Sequence, residues 1–571
     1  MEESKELRSI LPYLPLRLLS SSLFWPSQAA ETLSELAGGR VDSGHQFFQA
    51  ISRLRSALSL SSEPFSPSTS LGYAVFFDEV MSPEESRKWF QEVVPVLANL
   101  LLRLPSLLET HYQNPNNAMP TTTALRLLDT QETGIVFLSQ ELIAALLCCS
   151  LFCVFPVQGR YAKHLPKPIN FDKLFSILHT KYTKKMENKI RCIIHYFQRI
   201  SDKMPKGIVS FERKVLHLKN HSTQISCPDA NFWSTSSVPL CRFEVHSSGL
   251  IEDTTTEALE VDFADPYLGG LILGFGVVQE EIRFAICPEL IVGMLFLPVM
   301  ADNEAIEVVG VERFSSYTGY NTSFRFSGDY VDEREVDTLG RRKTRIVAID
   351  ALRKPGMRQY RADFLLREIN KAFCGFLYQC EYQLYQKKLQ EYGCSSALSE
   401  AATSTSMETS EGKFSNHKTT NSQNDYQRMD QGNNIGVATG NWGCGVFGGD
   451  PEVKTIIQWL AASQGLRPSV AYYTFDLKAL QSLDEVAQWT LSQRWTVGDL
   501  WNKLVKYSTR RSKGETNVGF FQWLRPSIYD RVGKAGQPVP PAPHLARPAE
   551  LSQSRISILP RIKAGARRIH F

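Results

Sequence analysis

Apolar residues recur every three to four positions through most of the first 205 residues, a spacing that predicts helices. Across residues 86–108 the stripe is Trp89, Phe90, Val93, Val94, Leu97, Leu100, Leu101 and Leu104. Pro95 and Pro105 are placed to kink or end it. Residues 185–200 repeat the pattern with Ile190, Ile193, Ile194 and Phe197. Residues 142–155 are apolar apart from Ser150. That run is about 14 residues, short of the roughly 20 a membrane span needs, so it predicts a buried helix. Its Cys148, Cys149 and Cys153 read as small core hydrophobes. From about residue 207 the period changes. Short β-branched runs (GIVSFERKV, LEVDFA, AIEVVGVERF, TRIVAIDA, SVAYYTF) alternate with helical stretches at 364–392 and 452–463, which predicts a layered α/β domain. Residues 393–436 are Ser/Thr/Asn/Gln-rich with hardly any aliphatics, too polar to offset the entropy of ordering. We expect them to be a disordered loop inside the α/β domain. The end of the chain is Pro-rich and then basic, and predicts a disordered tail. The expected units are a helical region 1–205, an α/β domain 206–530 carrying the 393–436 loop, and a tail 531–571.

Composition narrows the classes. The chain has 571 residues, enough for about three to four domain-sized units. It is 43% hydrophobic and 21% charged, which excludes a chain disordered throughout, a collagen or a coiled-coil rod. A net charge of +4 does not describe a polybasic nucleic-acid binder, so any polyanion must be met by a local site. The start, MEESKELRS, is acidic and lacks a signal-peptide pattern; together with the short apolar run it predicts a soluble, intracellular chain. Eleven cysteines, an odd number without a CxxC pair, do not make a disulfide framework. His217, His221, Cys227 and Cys241 have the wrong spacing for a common zinc site and read as a solvated loop. No HExxH, GxSxG or GxxxxGK[ST] motif occurs. Arg341, Arg342, Lys343 and Arg345 follow an acidic stretch and read as a solvated surface loop.

Three clusters carry candidate chemistry. Residues 261–284, VDFADPYLGGLILGFGVVQEEIRF, run from a strand through a glycine loop to a helix start. Amides of Gly269 and Gly270, near a helix N-terminus, would suit a phosphate or diphosphate. Glu280 and Glu281 would repel such a ligand. They make sense if one donates a proton to a leaving oxygen and the other holds a sugar hydroxyl. The alternative is that they are first-turn acids favoured by the helix dipole. Residues 437–450, VATGNWGCGVFGGD, place five glycines within ten positions before a second helix: a second diphosphate loop or a tight turn. Residues 312–326 offer Tyr317, Tyr320, Phe324 and Phe326, to cover a ribose or base or to pack on a sheet.

Together these clusters resemble the poly(ADP-ribose) glycohydrolase family. The resemblance rests on Gly269-Gly270-Leu271 followed by Gln279-Glu280-Glu281-Ile282-Arg283-Phe284, and on Asp262-Phe263-Ala264 before the loop. Tyr317-Thr318-Gly319-Tyr320, the strand IVAIDA and Ala438 to Gly445 running into Phe447-Gly448-Gly449-Asp450 add to it. It extends from the N-terminal helices to about Ser527, with a texture like the plant members. It implies a macrodomain-type three-layer α/β/α domain with an N-terminal helical accessory domain. It also implies hydrolysis of ribose–ribose O-glycosidic bonds in poly(ADP-ribose), releasing ADP-ribose, with no metal or other cofactor. Glu281 matches the catalytic acid, and Glu280 the partner that orients the bond by holding a ribose hydroxyl. Asp262 and Gln279 match supporting positions, and Ile251 and Glu252 the adenine contacts. Tyr320 and Phe475 match the aromatic lining, and Asn441, Gly445 and Phe447 the second diphosphate loop. Two positions depart from the family pattern: Leu271 stands for a third glycine and Asp265 for an asparagine. A leucine could crowd the diphosphate, and Asp265 adds charge near an anionic ligand. The competing readings are a macrodomain that binds ADP-ribose without cleaving it, and a hydrolase of another ADP-ribose derivative. The expected partner is poly(ADP-ribose) on modified proteins, met by a monomer in nucleus and cytoplasm, without sequence-specific nucleic-acid or membrane binding.

Overall fold

The computed structural model describes residues 4–60, 64–113, 123–157, 165–218, 226–254, 257–377 and 435–525. The expected 393–436 loop lies outside the described residues except for its last two positions, and the 531–571 tail lies wholly outside them.

An eight-stranded mixed sheet organises the chain. Its strands are β1 (Gly134–Ser139), β2 (Ile208–Val215), β3 (Arg242–His246), β4 (Ala258–Ala264), β5 (Glu304–Gly310), β6 (Arg342–Asp350), β7 (Gly436–Gly440) and β8 (Ser469–Tyr473). They lie side by side in the order β1-β2-β5-β6-β4-β7-β8-β3. The run β6-β4-β7-β8-β3 is parallel throughout. β1, β2 and β5 extend it with antiparallel pairings. The five β-branched runs become β2, β4, β5, β6 and β8. β1 has no separate sequence signal, because GIVFLS runs straight into the apolar helix that follows it. It places a strand from the first 205 residues in the sheet.

Helical periodicity is kept over 86–108 and 185–200; of the helix expected at 364–392 the structure shows Ala362–Phe376, and residues 378–392 lie outside the described residues. The 86–108 stripe becomes Pro83–Lys88, a π-helical turn at Trp89–Val93, Val94–Leu102 and, after a 45° bend, Leu104–Gln113. Pro105 sits in the first turn of its helix, where a missing N–H breaks no bond, and Pro95 follows directly on the π-helical turn inside the continuous run Pro83–Leu102. The apolar run 142–155 is helical only to Leu151, in the helix Gln140–Leu151; residues 152–155 leave the helix but stay buried. No single described helix is long and apolar enough to cross a membrane.

The sheet separates two cores. On one face Val136, Leu138, Phe211, Ile306, Val308, Ile346 and Ala348 join Ile282 and Phe284 of the Gln279–Ile286 helix and the N-terminal helices. On the other, Leu259, Val261, Val347, Ile349, Val437 and Val470 pack against Ala362–Phe376, Pro451–Gln464 and Val497–Ser512. Full burial of side chains of this size stabilises the fold by about 1.5–3 kcal/mol each. The layering follows from β4 itself: Leu259 and Val261 face one core, while Glu260, Asp262 and Ala264 alternate onto the other face.

The basic run is not a solvated loop. Arg342, Lys343 and Arg345 open β6, and Arg341 is buried against Asp337 with its guanidinium on Ser210 Oγ (2.8 Å). Arg345 bonds Glu307 Oε1 (2.9 Å) while Lys214 bonds Oε2 (3.0 Å). Burial alone would raise the pKa of Glu307, but Lys214 and Arg345 outweigh it and hold the carboxyl down at about 2. The run looked exposed because Glu307 and Glu312, which pair with Arg345 and Arg342, are distant in sequence, and because the nearby Asp337 and Glu335 read as part of a solvated acidic stretch.

Candidate active site

The candidate residues converge on the carboxyl edge of the parallel strands, where open α/β sheets place ligands. β4 ends in Ala264 and opens the first glycine loop. β7 ends in Gly440 and opens the second. β8 leads to Phe475, and β3 leads to the short helix Ile251–Asp253. A Cβ on Gly440 would lie 3.6 Å from both Phe263 and Phe475, so the ends of β4, β7 and β8 touch here. Arg353 spans the two loops: its guanidinium is 3.7 Å from Asp265 Oδ2 and 5.1 Å from the centre of the Phe447 ring.

The first loop folds around the two glutamates. Glu280 accepts Gly269 N–H on Oε1 (2.7 Å) and Asp265 N–H on Oε2 (2.9 Å). Glu281 accepts Leu271 N–H on Oε1 and Val278 N–H on Oε2, both at 2.9 Å. Thus the amides of Gly269 and Leu271, in the loop expected to receive an anionic ligand, are turned onto carboxylates of the chain itself. Gly270 has φ +52°, and a Cβ there would stand 2.4 Å from Glu280 Oε2 and 2.8 Å from Glu281 Oε1. The close approach that demands this glycine is the carboxylate pair. Glu281 is also the third residue of its helix and reaches back to Val278 N–H, so it serves as a helix cap as well.

Asp262 lies buried on β4, and neither of its oxygens has a hydrogen-bond partner among the described residues. Burial pushes its pKa up to about 8; Arg283 opposes this and Glu281 adds to it. Burial, then Asp262 and Glu281, push Glu280 well above the usual carboxylate range. Two buried carboxyls, Asp262 and Glu280, both raised in one site are the kind of arrangement that marks a functional candidate. Beneath them Glu260 is ion-paired with Arg283 and with Arg334 (2.9 Å). Gln279 does not face the opening: its Oε1 accepts Phe263 N–H (2.8 Å) and its Nε2 donates to Val261 O (3.1 Å), pinning the helix start to the end of β4.

The two departures have local explanations. Leu271 is 59% exposed and lies outside the positive-φ region, so its backbone needs no glycine. Asp265 Oδ1 accepts Tyr267 N–H (3.1 Å), a turn bond an asparagine oxygen would also make, and Arg353 faces its other oxygen.

The remaining residues form the opposite side. Tyr320 is half-exposed, with its hydroxyl at the backbone N–H of Gln279; burial raises its pKa. Ile251 is buried against Ala438 and Tyr473. Glu252 is held by the Tyr317 hydroxyl, and its carbonyl accepts from Arg334 (2.8 Å). Asn441 fastens its own loop, donating from Nδ2 to Thr474 O (2.9 Å) and accepting from the Tyr472 hydroxyl (3.2 Å). Gly445 is exposed, and a Cβ there would meet nothing within 4 Å, so no contact inside the chain demands a glycine. Phe475 has φ +51° and is 47% exposed, an uncommon backbone for a bulky residue. Tyr473 and Arg353 also line this edge, and the sequence reading did not single them out; Phe263, quoted there only as part of a motif, lines it too. Lys189 was passed over too. It donates to three carbonyls of the first loop, and burial pushes its pKa down to about 7 against the opposing pull of Glu281. Its signal was a lysine on an apolar helical stripe, three residues after Met186 and four before Ile193.

Comparison with known proteins bears on the same segments. Residues 81–213 match the family described as "Poly (ADP-ribose) glycohydrolase (PARG), helical domain". Residues 230–482 match "Poly (ADP-ribose) glycohydrolase (PARG), Macro domain fold". "Poly(ADP-ribose) glycohydrolase 1" of Arabidopsis thaliana is 52% identical over 570 residues, covering 94% of this chain and 100% of that protein. "Probable poly(ADP-ribose) glycohydrolase 2" of the same plant is 51% identical over 534 residues, covering 92% and 100%. "Poly(ADP-ribose) glycohydrolase 1" of Caenorhabditis elegans is 31% identical over 292 residues, covering 49% of this chain and 30% of that protein.

Proposed function

The chain belongs to the poly(ADP-ribose) glycohydrolase family and is a poly(ADP-ribose) glycohydrolase; from that premise we propose that Glu281 is its general acid and base. Glu281 gives a proton to the leaving ribose oxygen as the ribose–ribose C–O bond breaks. It then takes a proton from the water that attacks the oxocarbenium-like carbon, so the carboxyl ends as it began. Glu280 hydrogen-bonds a ribose hydroxyl; each of its oxygens already takes one N–H, which fixes the carboxyl in place. Asp262, neutral near pH 7, keeps negative charge from building up beside an anionic polymer.

The observation that carries this reading is the position of Glu281. It is buried, and loop and helix amides fix both its oxygens at one edge of the sheet. A carboxyl held this way has little geometry left to organise when the transition state forms. The diphosphate lies on the second loop, where Gly445 leaves space that the fold does not require. Tyr320 and Phe475 cover the adenosine side, and Ile251 and Glu252 meet the adenine. Poly(ADP-ribosyl)ated protein is the substrate and the acting form is a monomer. Nuclear and cytoplasmic distribution is a further part of the proposal; residues 342–345 form the start of β6, and Arg341, Arg342 and Arg345 are ion-paired, so they do not serve it as an exposed basic signal.

The test separates polymer cleavage from attack on other ADP-ribose derivatives. Purified protein is given poly(ADP-ribosyl)ated and mono-ADP-ribosylated forms of the same protein, and products are resolved by chromatography. The expected result is free ADP-ribose from the polymer with the protein-linked unit left in place. Release from the mono-modified form alone would refute the assignment.

A further inference from the structure

The helix Lys184–Asp202 buries Met186, Ile190, Ile193, Ile194 and Phe197, and Lys189 is fully buried on it. Its ammonium reaches the first glycine loop, donating to Leu271 O (3.4 Å), Gly274 O (2.5 Å) and Gly276 O (2.9 Å). An ammonium has three donors, and here three carbonyls take them. A buried cation without partners is costly, so the loop path and the lysine position hold each other in place.

The loop so gripped is the one that fixes Glu281. Leu271 gives its carbonyl to Lys189 and its N–H to Glu281 Oε1. Gly276 gives its carbonyl to Lys189 and lies so close to Glu281 that a Cβ would stand 2.4 Å from the carboxyl carbon. Lys189 therefore holds both loop segments that flank the carboxyl, and it does so from the helical region.

We propose that Lys189 is a positioning residue for the glycohydrolase reaction, fastening the first glycine loop to the helical region so that the Glu281 carboxyl is held in register with the bond it cleaves. The proposal rests on the reading of Glu281 given above. It assigns the helical region a direct part in the site, since the loop does not complete its carbonyl bonding without it.

The test is a double-mutant cycle in the full chain, with Lys189→Met, Glu281→Gln and both together. Polymer turnover, ADP-ribose affinity and thermal unfolding are measured for each. Lys189→Met is expected to lower kcat about 10- to 100-fold, the scale of a displaced catalytic group, with ADP-ribose Kd changed less than about threefold. In the Glu281→Gln background the same change should cost less than about threefold, because its effect acts through that carboxyl. Lys189→Gln, which keeps a shorter donor, should fall between wild type and Lys189→Met. Normal kcat in a Lys189→Met protein of lowered stability would overturn the proposal, and so would equal losses in both backgrounds. If neither Lys189 variant folds, Lys189 is a determinant of folding and the proposal fails. Full activity in Glu281→Gln would instead remove the premise, a separate outcome.

Discussion

Asp262 is the residue at which the site departs most from what stability alone would choose. Its folded pKa of about 8 lies above the unfolded value of about 3.9, so folding takes up a proton. The resulting cost is absent below about pH 4, grows as pH rises and is complete once pH passes about 8. Asp262→Asn is expected to be more stable than wild type at pH 8, by about 1–3 kcal/mol in urea unfolding, with the gap closing toward pH 4. A gap independent of pH would mean that Asp262 does not titrate in this range. Gly270→Ala is expected to abolish most activity, since its Cβ would strike both glutamates and its φ is +52°. Leu271→Gly is expected to leave turnover within about threefold of wild type, because an exposed residue outside the positive-φ region needs no glycine. These three outcomes separate a loop shaped by its carboxylates from one shaped by its glycine count.

Among the elements, the strands show where reading from sequence stops. β2, β4, β5, β6 and β8 were legible because each is a short β-branched run with polar flanks. β1 merged with the helix after it, and β6 was only half legible. Its apolar end read as a strand, while Arg342, Lys343 and Arg345 read as loop, because sequence does not reveal that Glu307 and Lys214 stand opposite. Arg345→Met should lower stability by about 1–3 kcal/mol at pH 7, the scale for loss of one partner from a buried ion network. The loss should shrink as pH falls from about 4 toward 2, where Glu307 protonates in the folded protein. Denaturant midpoints across that pH range check both statements. In the site, Glu280 and Glu281 were legible from their place after a glycine loop, but the direction of the loop amides was not. That direction depends on which anion lies nearest, and the nearest anions are these two side chains.

Over the whole molecule, the order of the units was legible and their interdependence was not. Periodicity separates a helical region from an α/β domain near residue 206. The structure joins them through β1, through a shared core on one face of the sheet, and through Lys189 beneath the first glycine loop. No local pattern announces such contacts, because the strand pairing and the lysine contacts join residues about 70 or more positions apart. All the candidate chemistry meets at one edge of that joined body, and the central claim is that Glu281 performs it there. The most direct measurement is the rate of ADP-ribose release from defined poly(ADP-ribose) by wild type and by Glu281→Gln, with ADP-ribose binding measured on both. The account predicts release by wild type and a rate lower by about 10²–10⁴-fold in the variant, with binding retained. A variant that cleaves at the wild-type rate, or a wild-type protein that binds polymer and releases nothing, would contradict it.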